Sequence, residues 1–233
     1  IDLKVRSKLD FLVLLKLYLL LKEEEPDIVH AHLFHATIIG RIIARFAGVP
    51  IIISTQHYSS SFHGRLGMLA DKLTAPLTDQ IIAVSGAVKK FCVEEEGIAS
   101  TKVRIIYNGI DLNLDSHDKG GLDLKKQLFL GNELIIGTVG RFVEIKGYKY
   151  LFYAAKDIIK QYPNVKFILL GYGPLKNKLT KLTIELGLSD KVIFLDPAIK
   201  VTDFLSILDV YVLPSLSEGL SITLLEAMAM SKP

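Results

Sequence analysis

The chain has 233 residues, half of them hydrophobic, a net charge of +3 and a single cysteine, Cys92. That length and apolar content suffice for one large domain or two modest ones with buried cores. The small, dispersed charge leaves no nucleic-acid footprint, and one cysteine supplies neither a disulfide nor a metal cluster, which suits a reducing compartment.

Ser7 to Glu25 reads as a helix with leucines dense enough to cover most of its faces. Its apolar run from Phe11 to Leu21 is interrupted by Lys16 and is too short to span a bilayer, so a buried or surface-seated helix is expected. Strands follow at Asp27–His32, Ile51–Thr55, Gln80–Val84 and Val103–Tyr107. Between them lie helices at Phe34–Gly48, Leu66–Leu77 and Gly86–Glu96, the last capped by Ser85. Gly48 and Pro50 are stop signals, and the loop after the second strand carries Gln56, His57, Tyr58 and the serines Ser59, Ser60 and Ser61.

From Leu112 to Gly121 almost nothing apolar remains to bury, and a domain boundary is expected there, giving domains 1–115 and 116–233. Alternation resumes with strands at Leu134–Val139, Val165–Leu170, Val192–Leu195 and Val210–Leu213. The intervening helices fall near Tyr148–Gln161, Leu175–Leu186 and Val201–Leu208. Such alternation predicts α/β halves, each built on a parallel sheet covered on both faces, with a cleft between them.

The last stretch organises the chain. A short strand from Asp209 runs into Pro214, Ser215, Glu218 and Gly219, and Ser221 stands where an N-cap opens a helix. A strand–loop–helix corner of this kind presents free N–H groups and a positive dipole end to an anion, and phosphate is the natural guest. Glu218 lies in the loop and Glu226 eight positions on, in an otherwise apolar helix, where a lone carboxylate is costly unless paired. Carboxylates accept hydrogen bonds from hydroxyls, so the two could hold different sugar rings of one ligand, or they could be an ordinary loop residue and an early-turn glutamate. Upstream, Gly140-Arg141 and Lys146-Gly147 place two cations in one loop at a strand end, suited to phosphate oxygens or simply to solvent. Gly171-Tyr-Gly173-Pro174 closes the next strand. His30, His32 and His35 raise a metal reading, but no partner set stands at ligand spacing.

Glu218, Gly219, Glu226-Ala-Met-Ala and Lys232-Pro233, with Pro214-Ser215 ahead of them, together resemble the nucleotide-sugar signature of retaining glycosyltransferases of family 4, which have the GT-B fold of two Rossmann-like domains. The resemblance implies a sugar transferred from a UDP- or GDP-sugar to a hydroxyl acceptor, a glycan or lipid-linked glycan, with no cofactor and no metal. It implies donor binding by Gly140, Arg141, Lys146, Gly171, Gly173, Glu218, Gly219, Leu220, Ser221 and Glu226. Glu218 would meet the sugar, Glu226 the ribose, and His57 would lie beside the donor sugar as a catalytic residue with Glu218. Asp196-Pro197 matches the nucleobase region. It also implies a cytoplasmic protein, peripheral at the inner membrane face, and a chain incomplete at both ends, with weakened nucleotide binding. The competing readings are a GT-B relative without transfer, such as a sugar-nucleotide epimerase or binding domain, and a metal hydrolase using His30 and His32.

Overall fold

The structure, a computed structural model, describes residues 11–58, 64–112 and 118–233. The beginning of the expected first helix, the Ser59–Ser61 run and the expected boundary at 115/116 lie outside them. The chain divides into two compact units, one of Ile1–Asn108 with Glu218–Leu220, the other of Gly109–Ser217 with Ser221–Pro233.

In the first unit the elements run α1 (Phe11–Glu24), β1 (Ile28–His32), α2 (Phe34–Ala47), β2 (Ile51–Gln56), α3 (Gly64–Thr74), β3 (Gln80–Ala83), α4 (Gly86–Lys90) and β4 (Val103–Ile105). The strands pair in parallel in the order β1-β2-β3-β4. Helix α2 turns one stripe inward, Thr37, Gly40, Arg41, Ala44 and Ala47. It ends as Gly48 enters the left-handed region, and Val49 N–H then closes onto the Ala44 carbonyl at 3.0 Å. Tyr18 and Leu21 of α1 pack with Ala44, Val49 and Ile52. Leu12, Leu15 and Leu19 stay exposed, so the leucines of α1 bury one face rather than most of them.

Two sequence expectations fail in this unit. Among the described residues one face of its sheet is not covered at the β1 edge: Ile28, His30 and His32 of β1 and Ile51 of β2 are exposed there. The helix expected over Gly86–Glu96 gives way after Lys90 to a wider π turn, Phe91–Glu95, marked by Glu96 N–H bonding the Phe91 carbonyl at 3.1 Å. That turn carries Cys92 and Glu96 into the interior.

The second unit runs α5 (Asp118–Gln127), β5 (Leu134–Val139), α6 (Tyr148–Gln161), β6 (Val165–Leu170), α7 (Lys176–Glu185), β7 (Val192–Leu195), α8 (Val201–Ser206), β8 (Val210–Tyr211) and α9 (Ile222–Ala229). Its parallel order is β7-β6-β5-β8. Here both faces are covered. Phe167 and Leu169 of β6 join Phe142, Leu151, Phe152 and Leu179 on one side, and Ile168 and Leu170 join Phe204, Leu205, Leu208 and Ala227 on the other. Each such side chain taken out of water contributes about 1.5–3 kcal/mol, so this alternation sets the strand's register.

Helix α5 occupies part of the stretch expected to be linker. Leu124 is buried, and a Cβ on Gly120 or Gly121 would run into Asp203 or Ser206 of α8. The two glycines that resemble a helix breaker in sequence are what let α5 lie against α8.

Candidate functional site

In the second unit, β5 and β8 are neighbours, with Ile136 opposite Val210 and Gly137 opposite Tyr211. Their carboxyl ends therefore bring two loops side by side. The loop after β5 starts as Gly140 N–H bonds the Leu170 carbonyl at 3.0 Å and Phe142 N–H bonds the Tyr172 carbonyl at 2.7 Å. Arg141 between them is exposed. The turn Glu144–Lys146 follows, and the aliphatic stem of Lys146 lies beside Gly140. Gly147, at φ 65°, then starts α6. A side chain at that φ is strained, and a Cβ would also collide with the Pro214 carbonyl of the β8 loop. Leu216 N–H bonds the Ile145 carbonyl at 2.8 Å, a second tie between the same two loops.

The β8 loop leads to α9, and Ser221 caps it: its hydroxyl accepts from Leu224 N–H at 3.4 Å. Behind the cap a chain of hydroxyls holds the corner, Ser221 Oγ to Thr223 Oγ1 at 3.0 Å and Thr223 Oγ1 to Tyr211 Oη at 2.8 Å. Sequence reading missed this chain because Tyr211 and Thr223 meet only through the β8–α9 turn. The first turn of α9 thus opens at the end of the β8 loop, and that loop is tied to the Gly140–Lys146 loop through Ile145 and Leu216. Glu226, one turn further along α9, is half-buried, and burial pushes its carboxyl above the ordinary carboxylate value. Lys232 donates to the carbonyls of Ser206 and Leu208 at 3.1 and 2.8 Å, so this signature lysine ties the end of α9 to the end of α8.

Gly171 and Gly173 sit at the end of β6. A Cβ at Gly171 would strike the Gly140 carbonyl, and one at Gly173 would crowd the Phe142 backbone. Both therefore set the loop that carries Arg141. Asp196 accepts from Ala198 N–H at 2.9 Å and forms a local turn after β7.

The remaining expected residues belong to the first unit. Glu218, Gly219 and Leu220 cluster there, with Leu220 against the core around Val84 and Val88, and its carbonyl accepting from Asn108 Nδ2 at 3.1 Å. A Cβ on Gly219 would strike the His57 carbonyl. His57 follows β2, and its Nε2 stands 3.1 Å from Nδ1 of His32. The His32 and His30 rings lie 4.2 Å apart, and His30 Nε2 meets Thr55 Oγ1 at 2.7 Å. Burial, followed by repulsion from neighbouring histidines, lowers the pKa of both His30 and His57 below the ordinary histidine value. The sequence places His30 and His32 on one face of β1. The register of His32 with Thr55 brings His57 to them, which no single strand reveals. Among the described residues no group of three or more His, Cys, Asp or Glu is placed to hold a metal ion.

Beneath the same sheet lies a polar core that sequence reading did not anticipate. Arg41, 1% exposed, pairs with the buried Asp71 and also donates to Thr74 Oγ1 at 3.2 Å and Ser54 Oγ at 3.0 Å. Glu96, 6% exposed, accepts from Gln56 at 3.4 Å, and burial together with the nearby Asp71 raises its pKa to about 7.

No helix among the described residues is long and apolar enough to cross a membrane. Residues 3–114 match the family model Glycosyltransferase Family 4, and residues 122–233 match Glycosyl transferases group 1. The UDP-Gal:alpha-D-GlcNAc-diphosphoundecaprenol alpha-1,3-galactosyltransferase of Escherichia coli is 33% identical over 96% of this chain and 61% of its own. The capsular polysaccharide biosynthesis glycosyltransferase CapM of Staphylococcus aureus is 27% identical over 96% of this chain and 62% of its own. The chain thus spans about three fifths of the length of these relatives. HepE of Anabaena, solved in complex with UDP-glucose, shares the fold with a TM-score of 0.84 at 23% identity, over 95% of this chain and 62% of that one. The pairing of parallel strands in two separate sheets agrees with that GT-B likeness. Matched along both halves by these two models and aligned over nearly its whole length with named glycosyltransferases, the chain belongs to the family 4, group 1 glycosyltransferases.

Proposed function

We propose that this chain is the donor-binding part of a retaining transferase that moves a sugar from a UDP-sugar to a hydroxyl of a surface polysaccharide or a lipid-linked glycan. One observation supports the reading: in the second unit the Gly140–Lys146 loop and the loop that leads to the capped start of α9 follow adjacent strands and are tied by the Ile145–Leu216 hydrogen bond. Arg141 and Lys146 supply mobile positive charge, and the α9 amides supply a fixed partial charge, for the two phosphates. The UDP complex partners of the fold relatives and the names of the sequence relatives support uridine and a lipid-linked acceptor. An acceptor of that kind would bring the protein to a membrane surface.

The chemistry is positioning and charge stabilisation. The bond between the anomeric carbon and the β-phosphate oxygen breaks with its electron pair leaving on the diphosphate. The acceptor hydroxyl attacks the same face of the sugar and passes its proton to that departing oxygen. Arg141, Lys146 and the α9 start meet the growing negative charge, and each such donor is worth roughly 10²- to 10³-fold in rate. Two cations and a helix end provide this without a metal. Glu226 accepts from the ribose hydroxyls, and Glu218 and His57 are assigned to the donor sugar.

Calorimetric titration of UDP and GDP tests this. UDP binding weakened by both Lys146→Ala and Glu226→Ala, and unchanged by EDTA, is the expected result. Loss of binding on chelation, with stoichiometric zinc in the sample, would sustain the hydrolase reading instead. Binding of UDP-sugar with no transfer to any offered acceptor would sustain a non-transferring relative.

A further inference from the structure

The histidines at the carboxyl ends of β1 and β2 form a ladder. His30 Nε2 is held by Thr55 Oγ1 at 2.7 Å, the His30 ring lies 4.2 Å from the His32 ring, and His32 Nδ1 reaches His57 Nε2 at 3.1 Å. The His32 and His57 rings are 5.4 Å apart and tilted by 30°. His32 is the last residue of β1 and His57 lies just beyond β2, so the pairing is built into the sheet register: His32 stands opposite Thr55, and His57 follows two positions later on the same face.

Two ring nitrogens at hydrogen-bond distance share one proton between them, so one ring donates while the other accepts. Whichever ring donates, Nε2 of His57 is committed, and its Nδ1 is the ring nitrogen available to a ligand. The bond also removes a rotamer choice at His57, whose loop is otherwise held by backbone contacts such as the approach of Gly219 to the His57 carbonyl. We infer that His32 is a positioning residue: its Nδ1–H donates to Nε2 of His57, which fixes the His57 imidazole in orientation and in the Nδ1–H tautomer, so that Nδ1–H of His57 meets a hydroxyl of the donor sugar. This rests on the assignment of His57 to the donor sugar. It makes the β1 histidines part of sugar recognition rather than a metal site.

The experiment compares calorimetric affinities for UDP and for UDP-galactose or UDP-glucose across wild type, His32→Leu, His32→Asn and His57→Ala. Ring nitrogen NMR of His57 accompanies each sample. His32→Leu should weaken UDP-sugar binding by about five- to ten-fold, one lost hydrogen bond, and leave UDP binding unchanged, which also shows that the variant is folded. His32→Asn places an amide where Nδ1 stood and should restore most of the loss. The double variant His32→Leu with His57→Ala should be no weaker than His57→Ala alone, because the two residues act as one unit. In the spectrum, wild-type His57 should show a single tautomer and His32→Leu a mixture.

Both tautomers in the wild type would overturn the inference whatever the affinities. So would a His32→Leu variant that keeps both a single tautomer and full UDP-sugar affinity while His57→Ala loses affinity; in that case the donor-sugar role of His57 stands. If His57→Ala leaves UDP-sugar affinity intact, the role assigned to His57 fails and the sugar contact inferred here fails with it; the spectrum then reports only whether His32 orients the ring.

Discussion

The two units solve the same problem, a parallel sheet with loops at its carboxyl ends, with different materials. The first buries charge: Arg41, Asp71 and Glu96 lie under its sheet with Ser54, while the opposite face carries exposed isoleucines and histidines. The second buries almost only hydrocarbon on both faces, and gains its precision where glycines bring backbone against backbone at the loops. A polar core holds its geometry through directed hydrogen bonds and makes stability depend on pH. An apolar core with glycine contacts is indifferent to pH and intolerant of added atoms.

That contrast can be broken most forcefully at Asp71. Asp71→Ala leaves the Arg41 guanidinium buried without its carboxylate and should cost about 3–5 kcal/mol, read as faster amide exchange throughout the first unit and little change in the second. The matching experiment in the second unit is Gly147→Ala, which adds both left-handed strain and a clash with the Pro214 carbonyl; a cost of about 2–3 kcal/mol is expected, with UDP binding falling alongside. Were Gly147→Ala silent, the loop tie at the proposed phosphate site would be loose, and the comparison would lose one of its two sides.

The next test sharpens the difference in pH response. The Glu96 carboxyl has its folded pKa raised from about 4.5 to about 7, so the folded state binds the extra proton across that interval. Stability from this group is therefore present at low pH and lost as pH rises from 4.5 through 7. Glu96→Gln should stabilise the first unit at pH 8 by about 1–3 kcal/mol, with the gain vanishing near pH 4.5, in urea melts run at both pH values. His30 and His57 act in the opposite sense. Their folded pKa values are lowered, so their contribution is complete above 6.5 and is lost as pH falls below it. This is the smallest expected effect, visible in the Glu96→Gln background as a loss of first-unit stability on acidification below pH 6.5. In the second unit the half-buried Glu226, whose folded pKa is also raised by burial, should give a slope of the same sign as Glu96.

Much of the fold was readable one segment at a time. The limits of β5, α6, β6 and β7 match the apolar runs closely, and both serine caps stand where expected, Ser85 accepting from Val88 N–H at 3.2 Å and Ser221 from Leu224 N–H. These signals are local: a strand buried on both faces has to be continuously apolar, and a cap acts within three residues. The failures are long-range. Helix α5 was hidden because its glycines serve contact with α8, eighty residues away, rather than its own backbone. The π turn after Lys90 was hidden because what it places inside meets distant segments: Glu96 accepts from Gln56 of β2, and Cys92 packs among Ala75, Ile81 and Val103.

The sequence by itself determined the alternation of strand and helix, the parallel sheets and the capped corner at Ser221, because periodicity, capping and glycine placement act over a few residues. It also carried the family likeness of the loops at Arg141, Lys146, Glu218 and Glu226. Only the tertiary structure decided that β8 lies beside β5, so that two loops some seventy residues apart meet. It alone decided that His32 reaches His57 and that Arg41 meets Asp71, since strand order and register are settled by the whole set of packed neighbours, which no window of sequence contains.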